Sequence, residues 1–198
     1  MLDATVLGLT RCAWATPRRP EELIYHDTEW GVPVHDDRVH FEFLVLESAQ
    51  AGLSWYSILR RRDAYRRAFA AFDPVQVAGY PPSAVDALMH DEGIIRNRAK
   101  ITAAINNAAR FLEVQQAFGS FNTYVWGFVG GSPRHIPRTN GCDVPATSPE
   151  SIALARDLKA RGFQFLGPTT LYAYLQATGL INDHLQSCFR YPQVTALG

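Results

Sequence analysis

Two cysteines and two histidines have the types and spacing to bind one metal ion. His184 and Cys188 are four residues apart in a segment that predicts a helix, so both side chains would point to the same side. Cys12 and His26 supply the same two ligand types, and the four together would complete a tetrahedral Cys2His2 site. Such a site leaves no open position for water and would be structural. An H-x3-C pair alone is more often a packed histidine and cysteine.

A carboxylate among apolar and aromatic residues forms a second group of interest. Glu47 lies in LVLESAQAG, an otherwise apolar helix face, and acidic and aromatic residues are interleaved around Trp14, Tyr25 and Trp55. A carboxylate at such a position is either exposed at the helix end or buried for a function, because burial without a partner is unfavourable. The pattern leaves both interpretations open, and aromatic residues at this spacing are more often core than binding surface.

The segment DEGIIRNRAKI (residues 91–101) could bind a phosphate. A short turn containing Gly93 can direct backbone N–H groups at an anion, and Arg96, Arg98 and Lys100 would add positive charge. The same residues are compatible with an ordinary connection between helices, and their spacing alone does not indicate DNA.

Arginine is the dominant cation of the chain. Of the 19 basic residues only Lys100 and Lys159 are lysines, and RRRDAYRR (residues 60–67) contains five arginines. The planar guanidinium suits bidentate phosphate binding. A run of this kind is also typical of a solvated helix face, so both interpretations stand.

Length and composition indicate one globular unit with its own core. The chain has 198 residues, 47% of them hydrophobic, and a formal net charge of zero. Three cysteines cannot form a disulfide framework and suit a reducing compartment. No apolar run approaches the roughly 20 residues of a membrane span, and the start MLDATVLGLTRCAW lacks the pattern of a secretory signal. We therefore expect a soluble, cytoplasmic protein.

Helices must position these side chains, because the apolar spacing and the capping residues predict helices almost throughout and no strand. The residues 130–147 are rich in Gly and Pro and predict a loop. The fold class expected is all-α. The helices predicted span about 20–30, 37–51 (capped by Asp36), 55–72 (capped by Ser54), 74–79, 83–90, 97–118, 120–129, 148–162, 169–179 and 182–191.

Six segments of the chain together form a very specific pattern, although each is modest alone. They are RCAW, YHDTEWGVP, LESAQAGLSW, DEGIIRNRAKI, RGFQFLG and GLINDH. In these segments the chain resembles the DNA-3-methyladenine glycosylase I family. They occur in the family's order from about residue 11 to 192 and cover nearly the whole chain.

The resemblance implies an all-α, two-lobed fold of the helix-hairpin-helix glycosylase superfamily, formed by one domain over residues 1–198. The helix-hairpin-helix lobe would cover roughly 36–130, and the other lobe roughly 11–35 plus 148–192. The two ends of the chain would be joined by one structural zinc ion, with Cys12, His26, His184 and Cys188 as its ligands.

The resemblance also implies the roles of the remaining candidates. Glu47 would recognise the extruded base and act as the catalytic residue, as an electrostatic partner rather than a nucleophile. Tyr25 and Trp55 would stack on that base, with Trp14 nearby. The hairpin that grips the DNA backbone would consist of Gly93, Ile94, Arg96, Arg98 and Lys100.

The implied activity is monofunctional excision of 3-methyladenine from alkylated double-stranded DNA in base excision repair. The enzyme would flip the base out of the helix and hydrolyse its N-glycosidic bond, leaving an abasic site. We expect a monomer without an organic cofactor and without membrane contact. A helix-hairpin-helix protein that binds DNA without catalysis and a zinc hydrolase are the alternatives. The presence of Glu47, Tyr25 and Trp55 together argues against the first, and four protein ligands argue against the second.

The chain departs from the family's pattern at Glu22. A tyrosine is expected three residues before Tyr25, so an aromatic wall of the pocket is either missing or replaced, and the range of alkylated bases accepted could differ. Alternatively Glu22 could lie in a loop without consequence. Cys142 lies in the Gly/Pro-rich loop and is expected to have no role in the site.

Overall fold

The computed structural model describes residues 8–198 and is mostly helical, as predicted. Residues 1–7, which belong to the start assessed for a secretory signal, lie outside this range. No helix within the described range is both long and apolar enough to cross a membrane. The α-helices are α1 Pro20–Thr28, α2 Asp37–Gln50, α3 Trp55–Leu59, α4 Arg62–Ala68, α5 Pro74–Ala78, α6 Ser83–His90, α7 Arg98–Phe118, α8 Phe121–Trp126, α9 Pro149–Ala160, α10 Pro168–Ala177 and α11 Arg190–Thr195.

Helix α2 is the centre of the molecule. Every residue from His40 to Ala49 is buried, because α2 packs against α7, α8 and α10. Its start is fixed as predicted, since the Asp36 carboxylate accepts hydrogen bonds from the N–H groups of Arg38 and Val39 at 2.8 and 3.1 Å. A polar residue between His40 and Ala49 is therefore forced into the interior.

The single helix predicted over residues 55–72 is wrong. The Ser54 cap holds, but the chain forms the short helices α3 and α4 and then a 3-10 turn, Ala70–Phe72. Ala70 and its two successors have left-handed backbone conformations. This bend lets both Phe69 and Phe72 enter the core, which is a tertiary constraint that helical periodicity does not record.

The helix predicted over residues 182–191 is also wrong for most of its length. Ile181–Asn182 (β2) pairs in parallel with Arg134–His135 (β1), which lies in the segment predicted as a loop. Residues 183–189 then turn without helix, and α11 begins at Arg190. The backbone N–H of Gln186 donates to the carbonyl of Arg138, so hydrogen bonds to a distant segment replace the helical ones.

Two backbone contacts hold the terminal segments together. Gly179 has φ +73°, and a Cβ atom there would lie 2.3 Å from the carbonyl carbon of Val32, so only glycine allows α10 to approach the α1–α2 connection this closely. The N–H of Phe189 donates to the carbonyl of Thr10 at 2.9 Å. The sequence that contains His184 and Cys188 is thus placed beside the sequence that contains Cys12.

Candidate active site

A cavity of about 240 Å³ lies between α1, the C-terminal half of α2 and α10. Its lining combines aromatic faces, two carboxyl groups and two carboxamides. The residues that line it are Trp14, Glu22, Tyr25, Trp30, Glu47, Gln50, Trp55, Ala173 and Gln176. All four residues expected to contact a base, Trp14, Tyr25, Glu47 and Trp55, are therefore brought to one cavity.

Glu47 is a buried acid without a cationic partner. Its exposed fraction is 4%, and Oε2 is buried with no hydrogen-bond partner among the described residues. Burial, which disfavours the charged form, raises the pKa of Glu47 to about 8. Of the two interpretations that the sequence left open, the structure selects the buried one. An unpaired carboxyl at a cavity surface is a group prepared for a ligand that brings hydrogen-bond donors or positive charge.

The aromatic residues form a continuous wall around Glu47. The ring centroids of Tyr25 and Trp55 lie 5.4 Å apart, and that of Trp14 lies 6.4 Å from Tyr25 and 5.1 Å from Trp30. Tyr25 is buried, whereas Trp14 is 38% exposed. The buried indole nitrogen of Trp55 has no hydrogen-bond partner among the described residues, so the residues lining the cavity include an unpaired donor as well as the unpaired carboxyl group.

Arg62 fixes the relative positions of α1, α2 and α4. Its guanidinium donates two hydrogen bonds of 2.6 Å to Glu29, just after α1, and one of 2.6 Å to Glu42 on α2. The carboxylate pair raises the pKa of Arg62 despite partial burial. The run RRRDAYRR is thus partly structural, a role that its charge pattern did not reveal. In the sequence, only the presence of the acidic residues Glu29 and Glu42 hinted at this role.

Cys12, His26, His184 and Cys188 form one buried cluster, as the sequence predicted. The four ligand atoms lie within 4.8 Å of one another. Sγ of Cys188 lies 3.4 Å from Nε2 of His26 and 3.6 Å from Nδ1 of His184, which is also 3.6 Å from Sγ of Cys12. For Zn–S and Zn–N bonds of about 2.3 and 2.0–2.1 Å, the edges of a tetrahedron between sulfur and nitrogen are roughly 3.5 Å. The spacing therefore fits a tetrahedral ion.

The second ring nitrogen of each histidine is already used, which fixes the tautomers. Nδ1 of His26 is 2.8 Å from the Asp27 carboxylate, and Nε2 of His184 is 3.0 Å from the carbonyl of Trp30. Both partners only accept, so each of these nitrogens carries the proton and the nitrogen that faces the sulfurs carries a lone pair. A hydrogen bond from the thiol of Cys12 lowers the pKa of Cys188 and favours its thiolate. The donor set fits a metal ion that prefers nitrogen and sulfur.

The turn after α6 offers less to a phosphate than the sequence suggested. The N–H groups of Gly93 and Ile95 already donate within the protein, to Asp91 and to the hydroxyl of Tyr65, and Ile94 is buried in the core. The side chains of Arg96 and Arg98 remain exposed at this turn, each paired with an exposed carboxylate.

Lys100, which the resemblance places at the DNA backbone, also makes contacts inside the protein. Its ammonium donates to the carbonyls of Ala49 and Ala51 at 2.8 and 2.6 Å, at the C-terminal end of α2. Desolvation lowers the pKa of Lys100. Its ammonium group forms hydrogen bonds with carbonyls at the end of the helix that carries Glu47. Lys100 therefore helps to hold the part of α2 that lines the cavity.

A second turn, between α9 and α10, has unpaired backbone N–H groups, which the turn after α6 lacks. The N–H groups of Phe165, Leu166 and Gly167 have no acceptor among the described residues, and Phe165 is 45% exposed with φ +56°. Ala173 and Gln176, further along α10, line the cavity. The turn is therefore about 8 Å along the helix axis from the cavity, at 1.5 Å per residue. The segment RGFQFLG carries part of the family resemblance, but its sequence does not reveal these unpaired N–H groups.

The chain belongs to the methyladenine glycosylase family, whose family model matches residues 14–191. The fold described above is that of this class of protein. It is 44% identical to DNA-3-methyladenine glycosylase 1 of Escherichia coli over 184 residues, which is 93% of this chain and 98% of the relative. It is 41% identical to the Haemophilus influenzae DNA-3-methyladenine glycosylase over 181 residues, 90% and 96% of the two chains.

Solved structures give the same result for the fold. A crystal structure of 3-methyladenine DNA glycosylase I superposes with a TM-score of 0.90 at 44% identity, over 92% of this chain and all of that one. A structure of the Staphylococcus aureus enzyme, described as showing the basis of 3-methyladenine recognition, has a TM-score of 0.89 at 38% identity, over 93% and 97%.

The burial of Glu47 predicts a pH-dependent gain in stability on its replacement. Between the ordinary value of 4.5 and the raised pKa of about 8, the unfolded chain releases a proton that the folded protein retains. Glu47 therefore lowers the free energy of unfolding increasingly as the pH rises through this window, and Glu47→Gln removes the effect. We expect the melting temperature of the variant, relative to wild type, to increase from about pH 5 to about pH 8 and then to level off.

The matched control is Glu42→Gln on the same helix. Glu42 is buried and paired with Arg62 and Arg66, so its replacement should lower the melting temperature. A Glu47→Gln variant that is less stable than wild type at the upper end of the pH range would contradict the unpaired, desolvated state described for Glu47.

Proposed function

We propose that this chain is a monofunctional DNA glycosylase that excises 3-methyladenine from alkylated DNA and leaves an abasic site. The observation that carries the proposal is the unpaired, buried carboxyl of Glu47 in a cavity walled by Tyr25, Trp55 and Trp14. The relatives named as DNA-3-methyladenine glycosylases support the same substrate.

Charge distinguishes the damaged base from normal adenine. Adenine methylated at N3 and still attached to deoxyribose is a cation, and aromatic faces attract a desolvated cation by about 2 kcal/mol. A nearby cation also favours the ionised form of Glu47, so binding at neutral pH is coupled to release of its proton. A hydrogen bond to the resulting carboxylate contributes roughly 1.5–3 kcal/mol. Neutral adenine brings no charge to offset the desolvated carboxylate.

The chemistry requires little acid catalysis because the base leaves as a neutral molecule. The electron pair of the C1′–N9 bond moves to the base, C1′ acquires oxocarbenium character, and water adds there with loss of a proton. Glu47 binds the base edge and stabilises the cationic substrate in the flipped state, and it is not a nucleophile. The internal hydrogen bonds of Lys100 support hydrolysis without a covalent lysine intermediate.

DNA would dock on the face that carries both turns. Exposed N–H groups at the start of α10, next to Phe165, suit a phosphate at a helix N-terminus. Arg96 and Arg98 on the other turn add charge. The second turn adjoins α10, which lines the cavity, and Lys100, beside the first turn, contacts the end of α2, which carries Glu47. A duplex held by both turns would therefore present its extruded base to Glu47. The division into lobes of roughly 36–130 and 11–35 plus 148–192 is part of this proposal.

The Cys2His2 cluster would hold a structural zinc ion. Its four ligands leave no position for water, and the neighbours Asp27 and Trp30 orient both histidines. His26 follows Tyr25 directly, so the ion would stiffen one wall of the cavity. Three free cysteines support a reducing, cytoplasmic location, and we infer a monomer that acts on double-stranded DNA.

Release of free base from methylated duplex DNA tests the activity directly. Wild-type protein should release 3-methyladenine, detected by chromatography, without nicking the strand. Glu47→Gln should bind DNA normally but lose excision by about tenfold or more, because a charge-assisted hydrogen bond is lost. Glu42→Gln is the control for a buried acid outside the cavity. Equal excision by wild type and Glu47→Gln, or a borohydride-trappable product, would refute the mechanism.

Metal content tests the zinc assignment. Cys188→Ala should reduce bound zinc, measured by atomic emission, and lower the melting temperature, because the ion stabilises only the folded chain. Cys142→Ala removes an exposed cysteine outside the cluster and should leave both quantities unchanged. Normal zinc stoichiometry in Cys188→Ala would contradict the assignment.

Two variants of Gly167 test whether its backbone N–H binds DNA, because only one of them removes this N–H from the turn between α9 and α10. Gly167 has φ −75°, which proline shares, and Gly167→Pro removes its N–H, whereas Gly167→Ala keeps it. We expect Gly167→Pro to weaken binding to undamaged duplex more than Gly167→Ala does. Equal binding by the two Gly167 variants would remove this turn from the DNA interface.

Arg96, in the turn after α6, is tested separately. Arg96→Ala should reduce the slope of the logarithm of the DNA-binding constant against the logarithm of the salt concentration by about one.

A further inference from the structure

A second cavity, of about 440 Å³, lies beside the cavity that contains Glu47 and shares part of its wall. Trp14, Trp30 and Gln176 line both cavities. The volume and the mostly apolar lining of the second cavity are those of small-molecule sites. Cys142, on its far side, is exposed. The Glu47 cavity therefore has a neighbour that opens to solvent on another side.

Helix α10 gives the order of the two cavities relative to the proposed DNA. Its start adjoins the turn whose unpaired N–H groups suit a phosphate. Of the residues that follow, Ala173 lines the Glu47 cavity, Gln176 lines both, and Asp183, beyond the end of α10, lines the second cavity. Gln176 is about 12 Å along the helix axis from Pro168. The second cavity therefore lies on the side of the Glu47 cavity that faces away from the DNA.

The acids of the two cavities differ in their partners. Glu47 is unpaired among the described residues, whereas the carboxylate of Asp183 accepts hydrogen bonds from Nε of Arg138 at 3.0 Å. Nε2 of Gln176, at 2.8 Å, and the hydroxyl of Tyr172 also donate to Asp183. The negative charge of the second cavity is thus compensated inside the protein.

This difference in charge favours a different form of the base in each cavity. The unpaired carboxyl group of Glu47 suits the cationic base of the substrate. The second cavity offers indole faces and carboxamides, which suit a neutral heterocycle. Cleavage of the C1′–N9 bond converts the first kind of ligand into the second.

Trp14 is the least constrained part of the shared wall. It lies in a turn before α1, is 38% exposed, and its indole N–H donates no hydrogen bond within the described part of the chain. Its ring makes edge contacts with those of His26 and Trp30, at 5.2 and 5.1 Å between centroids. Gln176, in contrast, is held by Asp183. A rotation of the Trp14 side chain would join the two cavities without moving a helix.

We propose that the second cavity binds the excised, neutral base and lets it leave the enzyme before the abasic DNA does. The cleavage is the one already described: the electron pair of the C1′–N9 bond leaves with the base, and water adds to C1′ with loss of a proton. The free base then passes Trp14 while abasic DNA still covers the entrance to the Glu47 cavity. The inference rests on the proposed function, since it assigns a route to the product of that reaction.

The test uses enzyme in excess over duplex DNA with labelled methyl groups on adenine, so that each site reacts once. Rapid filtration at successive times measures how much labelled base and how much abasic DNA remain bound to the protein. Wild type should lose the base before the DNA. Val144→Trp fills the second cavity and leaves the lining of the other intact, so the base should leave only together with the DNA at an unchanged rate of cleavage. Thr139→Trp, at an exposed position of the same loop outside the lining, should behave like wild type.

A chemical block of the second cavity avoids a folding defect in Val144→Trp. Cys142 is exposed and lines this cavity, whereas Cys12 and Cys188 are buried. A bulky maleimide added to the folded wild-type protein should therefore also hold the base until the DNA leaves. Cys142→Ser treated in the same way is the control and should release the base first.

The outcomes separate this inference from the proposed function. Simultaneous loss of base and DNA from wild type overturns the exit route and leaves the glycosylase activity intact. Release of the base before the DNA by Val144→Trp, or by the maleimide-labelled protein, does the same. Absence of cleavage by wild type overturns the proposed function itself.

Discussion

The cavity depends on keeping one unpaired carboxyl group in the interior of a helical protein. Glu47 is buried because α2 is packed on all sides, and its desolvation opposes folding at neutral pH. The rest of α2 offsets this loss of stability, because it contributes an uninterrupted set of buried core residues. Lys100 satisfies the carbonyls at the end of the helix, and Arg62 ties its middle to α1 and α4. These contacts hold α2 in place from several sides, so the carboxyl group of Glu47 cannot move out into water.

The wall opposite Glu47 is held by the two ends of the described chain. Tyr25 precedes His26, whose ring faces Cys188 and whose other nitrogen is held by Asp27 and, through it, by Arg11. The cavity is therefore enclosed between a rigid core helix and a segment fixed by the Cys2His2 cluster. In the proposed function, base recognition combines an unpaired carboxyl group with aromatic walls that the core helix and the Cys2His2 cluster hold in place.

Much of this arrangement is predictable from the sequence, and the failures have identifiable causes. Local signals such as the Asp36 cap and the apolar spacing of α7 define most helices, and the four residues predicted as metal ligands lie together in one buried cluster. The segment after β2 reads as helical, yet long-range pairing with β1 overrides its local preference. Spacing could not show that Lys100 points to the carbonyls of α2, because side-chain direction depends on a neighbour 51 residues away. The prediction that Glu47, Tyr25 and Trp55 share a base pocket came from the family resemblance, because periodicity alone left their roles undecided.

The long sequence separation within the Cys2His2 cluster determines when the site can form. Cys12 and His184 are 172 residues apart, and α10, which lines the cavity, is also near the C-terminal end. Closing such a loop is entropically unfavourable until the intervening helices have packed. During synthesis α2 can begin to pack while Glu47 still has no complete cavity around it. The nascent chain therefore cannot bind a base, and recognition of damage begins only when the last elements have emerged and docked.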